Sequence, residues 1–67
     1  MNITLNNRPE SFDADVISIS EILRIRNFTF KMLIIKVNGQ LVGKDSYDRQ
    51  EVREGDDVMI LHLISGG

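Results

Sequence analysis

The segment Val58-Met59-Ile60-Leu61-His62-Leu63-Ile64-Ser65-Gly66-Gly67 decides how this sequence is read. Its first seven residues are apolar except for His62, so the pattern predicts a strand with apolar side chains on both faces rather than one. If Val58 and Ile60 point toward a covering helix, the pleat sends Met59, Leu61 and Leu63 the other way. The strand runs straight into two residues without side chains. Read as a terminus, Gly67 carries a free carboxylate on a slender stalk, and that carboxylate is itself a candidate reactive group.

Upstream, Gly55-Asp56-Asp57 turns the chain into this strand. Gly43 to Glu54 is polar and turn-rich, and reads as a surface excursion pinned to the core by Tyr47 and Val52. Before it, Phe30 to Val37 is rich in β-branched and large apolar residues and closes on Asn38-Gly39, a strong hairpin signal, with Leu41-Val42 as the returning strand. Ile34 on that strand is placed to join Met59, Leu61 and Leu63 on a face that no helix covers. An exposed apolar patch of this kind marks a docking surface, for a partner or for a second copy of the chain.

At the other end, Ile3 and Leu5 alternate with Asn2 and Thr4, the period of a half-buried strand. Asn6-Asn7-Arg8-Pro9 supplies turn chemistry, and Glu10-Ser11-Phe12 returns as a second strand. Ser18-Ile19-Ser20-Glu21 is a capping box. It opens a helix whose residues Ile19, Ile22, Leu23 and Arg26 form one stripe, and Asn27 ends it after about two turns. Hairpin, helix, hairpin, loop and strand make an α+β roll, with four or five strands covered on one face by one main helix.

The 67 residues, 42% apolar, suffice for one small domain. Without cysteine there is no disulfide, no thiolate ligand and no thiol nucleophile, and the fold must be held by packing. Net charge is −2 with the signs interspersed, which argues against a nucleic-acid groove or a polybasic membrane anchor. Met1-Asn2-Ile3-Thr4 has neither region of a signal peptide and no apolar run reaches membrane-spanning length, so the cytoplasm is the expected location.

A search for an active site within the chain yields no catalytic residue. His62 has no carboxylate pair near it in sequence and reads as a polar residue at a strand end. Asp56-Asp57 is ordinary turn composition rather than a metal site, and neighbouring strand residues point to opposite sides. Lys31, Lys36 and Lys44 are scattered, and Asn38-Gly39 is a hairpin turn rather than a phosphate loop. The terminus remains. A carboxylate becomes electrophilic when its oxygen is made a leaving group, as by adenylation with ATP. An extended stretch from Ile64 to Gly67 spans about 13 Å at roughly 3.3 Å per residue, enough to enter a partner's active site. The expected organisation is a globular unit over 1–64 and a flexible tail over 65–67.

With these residues in order, the chain resembles the small sulfur-carrier proteins of the ubiquitin-like β-grasp fold, most closely the carrier of the thiamin thiazole pathway. The resemblance covers nearly the whole chain: Met1 to Asn6, Ser20-Glu21-Ile22-Leu23, Val37-Asn38-Gly39 with Val42 and Tyr47, Gly55-Asp56-Asp57-Val58, and Ile64-Ser65-Gly66-Gly67. It implies a mixed β-grasp sheet. It implies that an E1-like adenylyltransferase activates the Gly67 carboxylate with ATP, that a cysteine desulfurase system supplies sulfur, and that the resulting thiocarboxylate serves a thiazole synthase. No cofactor stays bound to the carrier. Ser65 and Gly66 form the approach to Gly67, and Met59, Leu61, Leu63 and Ile34 are the implied docking residues. The chain departs from the family pattern at Gly43-Lys44, where proline and arginine are frequent, and at the aromatic Phe28-Thr29-Phe30. The small subunit of molybdopterin synthase, a ubiquitin-like protein modifier and a β-grasp binding module with an inert tail are the alternative readings.

Overall fold

Two asparagine-containing turns set the frame of the molecule, whose computed structural model describes residues 1–28 and 32–62. The first joins strands β1 (Asn2–Leu5) and β2 (Arg8–Ser11) through Asn6 and Asn7, both at positive φ (51° and 66°). The second joins β4 (Leu33–Val37) and β5 (Gln40–Val42) through Asn38 and Gly39, at φ 52° and 83°. Two consecutive left-handed residues form the tight turn that matches the twist of antiparallel strands, and asparagine and glycine tolerate that conformation best.

The opening hairpin is tighter than its composition suggested. The turn takes only Asn6-Asn7, so Arg8 and Pro9 belong to β2, where Thr4 pairs with Pro9 and Leu5 with Arg8. Proline is tolerated there because β2 is an edge strand, with no further neighbour to receive a donor. The strand expected from Phe30 begins at Leu33 among the described residues; Phe30 and Lys31 lie outside them.

The main sheet has the order β2-β1-β7-β4-β5, with β7 (Asp57–His62) in the middle. β7 runs parallel to β1 and antiparallel to β4, which makes the sheet mixed. Across this sheet lies α1 (Ile19–Ile25). The Ser18 hydroxyl accepts the Glu21 backbone N–H at 3.1 Å, which supplies one arm of the capping box. The Glu21 carboxylate pairs with Arg24 one turn on instead of reaching back. Asn27, at φ 61°, ends the helix where its left-handed preference predicts.

Gly43 to Glu54 is more ordered than a surface excursion. It contains a short 3-10 turn over Lys44–Ser46 and strand β6 (Glu51–Arg53), which pairs antiparallel with β3 (Val16–Ser18) in a separate two-stranded ribbon. Val52 is fully buried, the anchor its isolation in a polar segment implied. Gln50 and Tyr47 carbonyls accept the backbone N–H groups of Ile19 and Ser20, so this segment also satisfies the first turn of α1.

One apolar cluster fills the space between helix and sheet. Ile3 and Leu5, Phe12, Ile17, Ile19 and Ile22, Ile35 and Val37, Val42, Val52, Val58 and Ile60 are all buried, and no polar side chain is buried among the described residues. Arg26 completes the helix stripe by lying 4.7 Å from the centre of the Phe12 ring while pairing with Glu10 at 2.9 Å.

Asn6 does more than turn the chain. Its backbone N–H donates to the Val58 carbonyl at 2.9 Å. Its side-chain Nδ2 donates to the Ile60 carbonyl at 3.1 Å, and its Oδ1 accepts the Ile60 N–H at 2.7 Å. The amide thus stands in for the next peptide group of β1 and extends the parallel ladder past the point where the chain turns away. Asn6→Gly, which accepts the same φ but lacks the amide, is expected to lower unfolding free energy by about 1–3 kcal/mol in urea titrations. Asn7→Gly, with no such contact to lose, should stay within about 0.5 kcal/mol of the parent.

Candidate functional site

Strand pairing fixes which side chains share the uncovered face. On β7 the residues alternate: Val58 and Ile60 are buried, Met59 is half-buried and Leu61 is 44% exposed. Leu61 lies opposite Ile34, and Met59 opposite Lys36. Lys36 in turn lies opposite Leu41 on β5. Cross-strand partners lie on the same side of the sheet. Met59, Lys36 and Leu41 therefore form one row across three strands, with Leu61 and Ile34 as the row beside it.

Three of the four expected docking residues, Met59, Leu61 and Ile34, are thus brought together on the open face. Leu63, like Ser65, Gly66 and Gly67, lies outside the described residues. Leu41 belongs to the patch as well. It is 71% exposed, the most exposed large apolar residue described, and its membership follows only from register. Toward β2 the same face turns polar, with Thr4 beside Pro9 and the Ser11 hydroxyl donating to Asn2 Oδ1 at 2.6 Å.

The supports of the patch come from the turns. Asn6 holds Ile60, between Met59 and Leu61. Asn38 holds the start of the strand, its N–H donating to the Asp57 carbonyl at 2.7 Å while its Oδ1 accepts the Asp57 N–H at 2.9 Å. Asp56 closes the preceding turn, its Oδ2 accepting the Arg53 N–H at 2.9 Å and its Oδ1 the Asn38 Nδ2 at 3.1 Å. Asp56 is spent on turn geometry, as its Gly-Asp-Asp context suggested.

Nothing among the described residues forms a catalytic constellation. No three His, Asp or Glu side chains converge as metal ligands. His62 is the exposed last residue of β7, opposite Leu33. No described helix is long and apolar enough to cross a membrane. On the helix side, a cleft of about 540 Å³ is floored by Phe12 and Ile17 and flanked by the exposed Val16 and Ile25. Neither exposed residue stood out in the sequence: Val16 directly precedes the buried Ile17, and Ile25 stands alone between two exposed arginines.

One helix on a mixed five-stranded sheet, with the last described strand at the centre and parallel to the first, defines the ubiquitin-like β-grasp class. Within that class the chain belongs to the ThiS family, whose model matches residues 3–67. It is 26% identical over 65 residues to the sulfur carrier protein ThiS of Bacillus subtilis (strain 168), covering 97% of this chain and 98% of that one. Among solved structures it is similar to the crystal structure of the thiamine biosynthesis protein (ThiS) from Geobacter metallireducens, with a TM-score of 0.89, 28% identity and full coverage of both chains. The solution structure of a thiamine biosynthesis protein from the same organism matches with a TM-score of 0.80 at 28% identity, covering all of this chain and 88% of that one.

Adjacent residues of β7 separate the two roles of the strand. Ile60→Ala, cut from the core, is expected to cost about 2–5 kcal/mol in urea denaturation, and Leu61→Ala less than about 1 kcal/mol. Equal losses at the two positions would mean that the open face is packed like the core.

Proposed function

We propose that this chain is a sulfur carrier of thiamin biosynthesis, a protein co-substrate rather than an enzyme, whose working group is the Gly67 carboxylate. The observation that carries the reading is the family match running through the segment Ser65-Gly66-Gly67 on a chain whose fold is shared along its full length. The described residues offer no catalytic cluster to compete with it.

The chemistry follows from the carboxylate. An E1-like (ThiF-type) adenylyltransferase binds the carrier and ATP; a Gly67 carboxylate oxygen attacks the α-phosphorus, pyrophosphate leaves, and the acyl-adenylate makes the Gly67 carbonyl electrophilic. A persulfide sulfur delivered from a cysteine desulfurase system attacks that carbonyl and AMP departs; a thiol then cleaves the sulfur–sulfur bond of the resulting acyl disulfide, forming a new disulfide and releasing the thiocarboxylate. The thiocarboxylate donates its sulfur to a thiazole synthase and returns to a carboxylate. ATP is bound by the partner, and the carrier itself keeps no cofactor. The globular unit 1–64 docks while 65–67 enters the partner's active site, where Gly66 and Gly67 add no width. Met59, Leu61, Leu63 and Ile34, joined by Leu41, form the docking face. The cytoplasm, where ATP and the desulfurase system are found, is the site of action.

The molybdopterin synthase small subunit and the protein-modifier readings share the adenylation step and part at the fate of Gly67. Mass spectrometry of the protein isolated from its own cells is expected to show a population in which one terminal oxygen is replaced by sulfur, absent when Gly67 is deleted. Loss of the thiazole synthase should make that population accumulate. Gly-Gly remnants on lysines of other proteins, without the sulfur-bearing form, would instead identify a modifier.

A further inference from the structure

Among the described residues Lys36 is the one positive charge on the open face of the main sheet, and it sits in the middle of the apolar patch. Met59 flanks it on β7 and Leu41 on β5, while Ile34 precedes it by two residues on the same side of β4 and Leu61 is its diagonal neighbour. Its ammonium makes no ion pair with any described residue. The nearest carboxylate on this face, Asp57, is diagonal to it at the opposite end of β7 from Leu61 and does not pair with it.

A partner that covers Ile34, Leu61, Met59 and Leu41 must also cover Lys36. An ammonium withdrawn from water without a counter-charge carries a desolvation penalty that the surrounding apolar contacts do not offset. A charge at the centre of an otherwise apolar contact therefore selects its partner.

We propose that Lys36 is the specificity-determining residue of the docking face, and that the face is built for a protein partner whose apolar contact surface carries a carboxylate at its centre. A second copy of this chain fits the face poorly. A two-fold contact is self-complementary, so an axis through the patch would bring two Lys36 ammonium groups together. The inference rests on the proposed carrier function, because the partner used to test it is the adenylyltransferase.

The test measures ATP–pyrophosphate exchange by the adenylyltransferase purified from the same cells, titrated with the full-length chain and with Lys36→Met, Lys36→Glu and Leu61→Ser at low and high salt. Lys36→Met is expected to raise the half-saturating carrier concentration about tenfold, and Lys36→Glu further. Salt should weaken the parent chain but leave Lys36→Met unmoved. One carboxylate-to-lysine change on the enzyme surface should restore Lys36→Glu and no other variant. If Lys36→Met docks as well as the parent while Leu61→Ser is weakened, the ammonium reaches past the patch to water, and the inference fails with the carrier function intact. If the parent chain supports no exchange, the carrier function fails and takes the inference with it. A parent chain that sediments as a dimer, and a Lys36→Glu variant that does not, would assign the face to a second copy and overturn the proposal.

Discussion

The fold depends on β7 having hydrogen-bonding partners on both edges. On one side lies β1, from the beginning of the chain, in parallel; on the other lies β4, antiparallel. Only two direct Cα partners join β1 to β7, Thr4 with Asp57 and Leu5 with Val58. Such a short parallel pairing is a weak seam for the centre of a sheet. The Asn6 side chain lengthens it by supplying a donor and an acceptor to Ile60 after the backbone of β1 has turned back. Asn38 does the corresponding work on the other edge at Asp57. Two side-chain amides at turn positions thus hold the strand that carries Val58 and Ile60 into the core and Met59 and Leu61 onto the open face.

That arrangement explains why the apolar segment 58–62 reads the way it does. A strand at the edge of a one-layer sheet needs apolar residues on one side only. A central strand with a helix over one face and the proposed docking surface on the other carries them on both, and β7 alternates Val58 and Ile60 inward with Met59 and Leu61 outward. Lys36 interrupts the outward set where three strands meet. The sheet is therefore apolar enough to be covered, yet carries one group that a covering surface must answer.

What was legible in the sequence was local chemistry. Asn27 behind the helix and Asn38-Gly39 between strands act within a few residues and stand where local chemistry puts them, and Ser18 caps the helix although Glu21 does not return the contact. Period-two alternation likewise placed Met59 and Leu61 on one face. The misreadings arose where the deciding contact was distant. β3 and β6 are three residues each, too short to show a period, and become strands by finding one another across more than thirty positions. Pro9 looked like a turn residue because nothing local says that β2 is an edge. Leu41 reads with Val42 only as the returning strand of the hairpin, and the register of β5 against β4 is what puts it in the same row as Lys36 and Met59. Leu63, read from the pleat, and Gly66 and Gly67, read from their reach and the resemblance, lie outside the described residues.

The position of β7 also bears on when the protein can exist in folded form. The middle strand of the sheet is the last of the described strands in chain order, and its parallel neighbour is the first. Loop-closure entropy over more than fifty positions must be met before this pair contributes any stability. Hairpins β1–β2 and β4–β5 can form locally while the chain is being synthesised, but they are joined into one sheet only by residues 57–62 between them. Completion of the main sheet consequently waits for residues 57–62. A nascent chain still lacking β7 has not assembled the open face that joins Met59 and Leu61 to Ile34, Lys36 and Leu41.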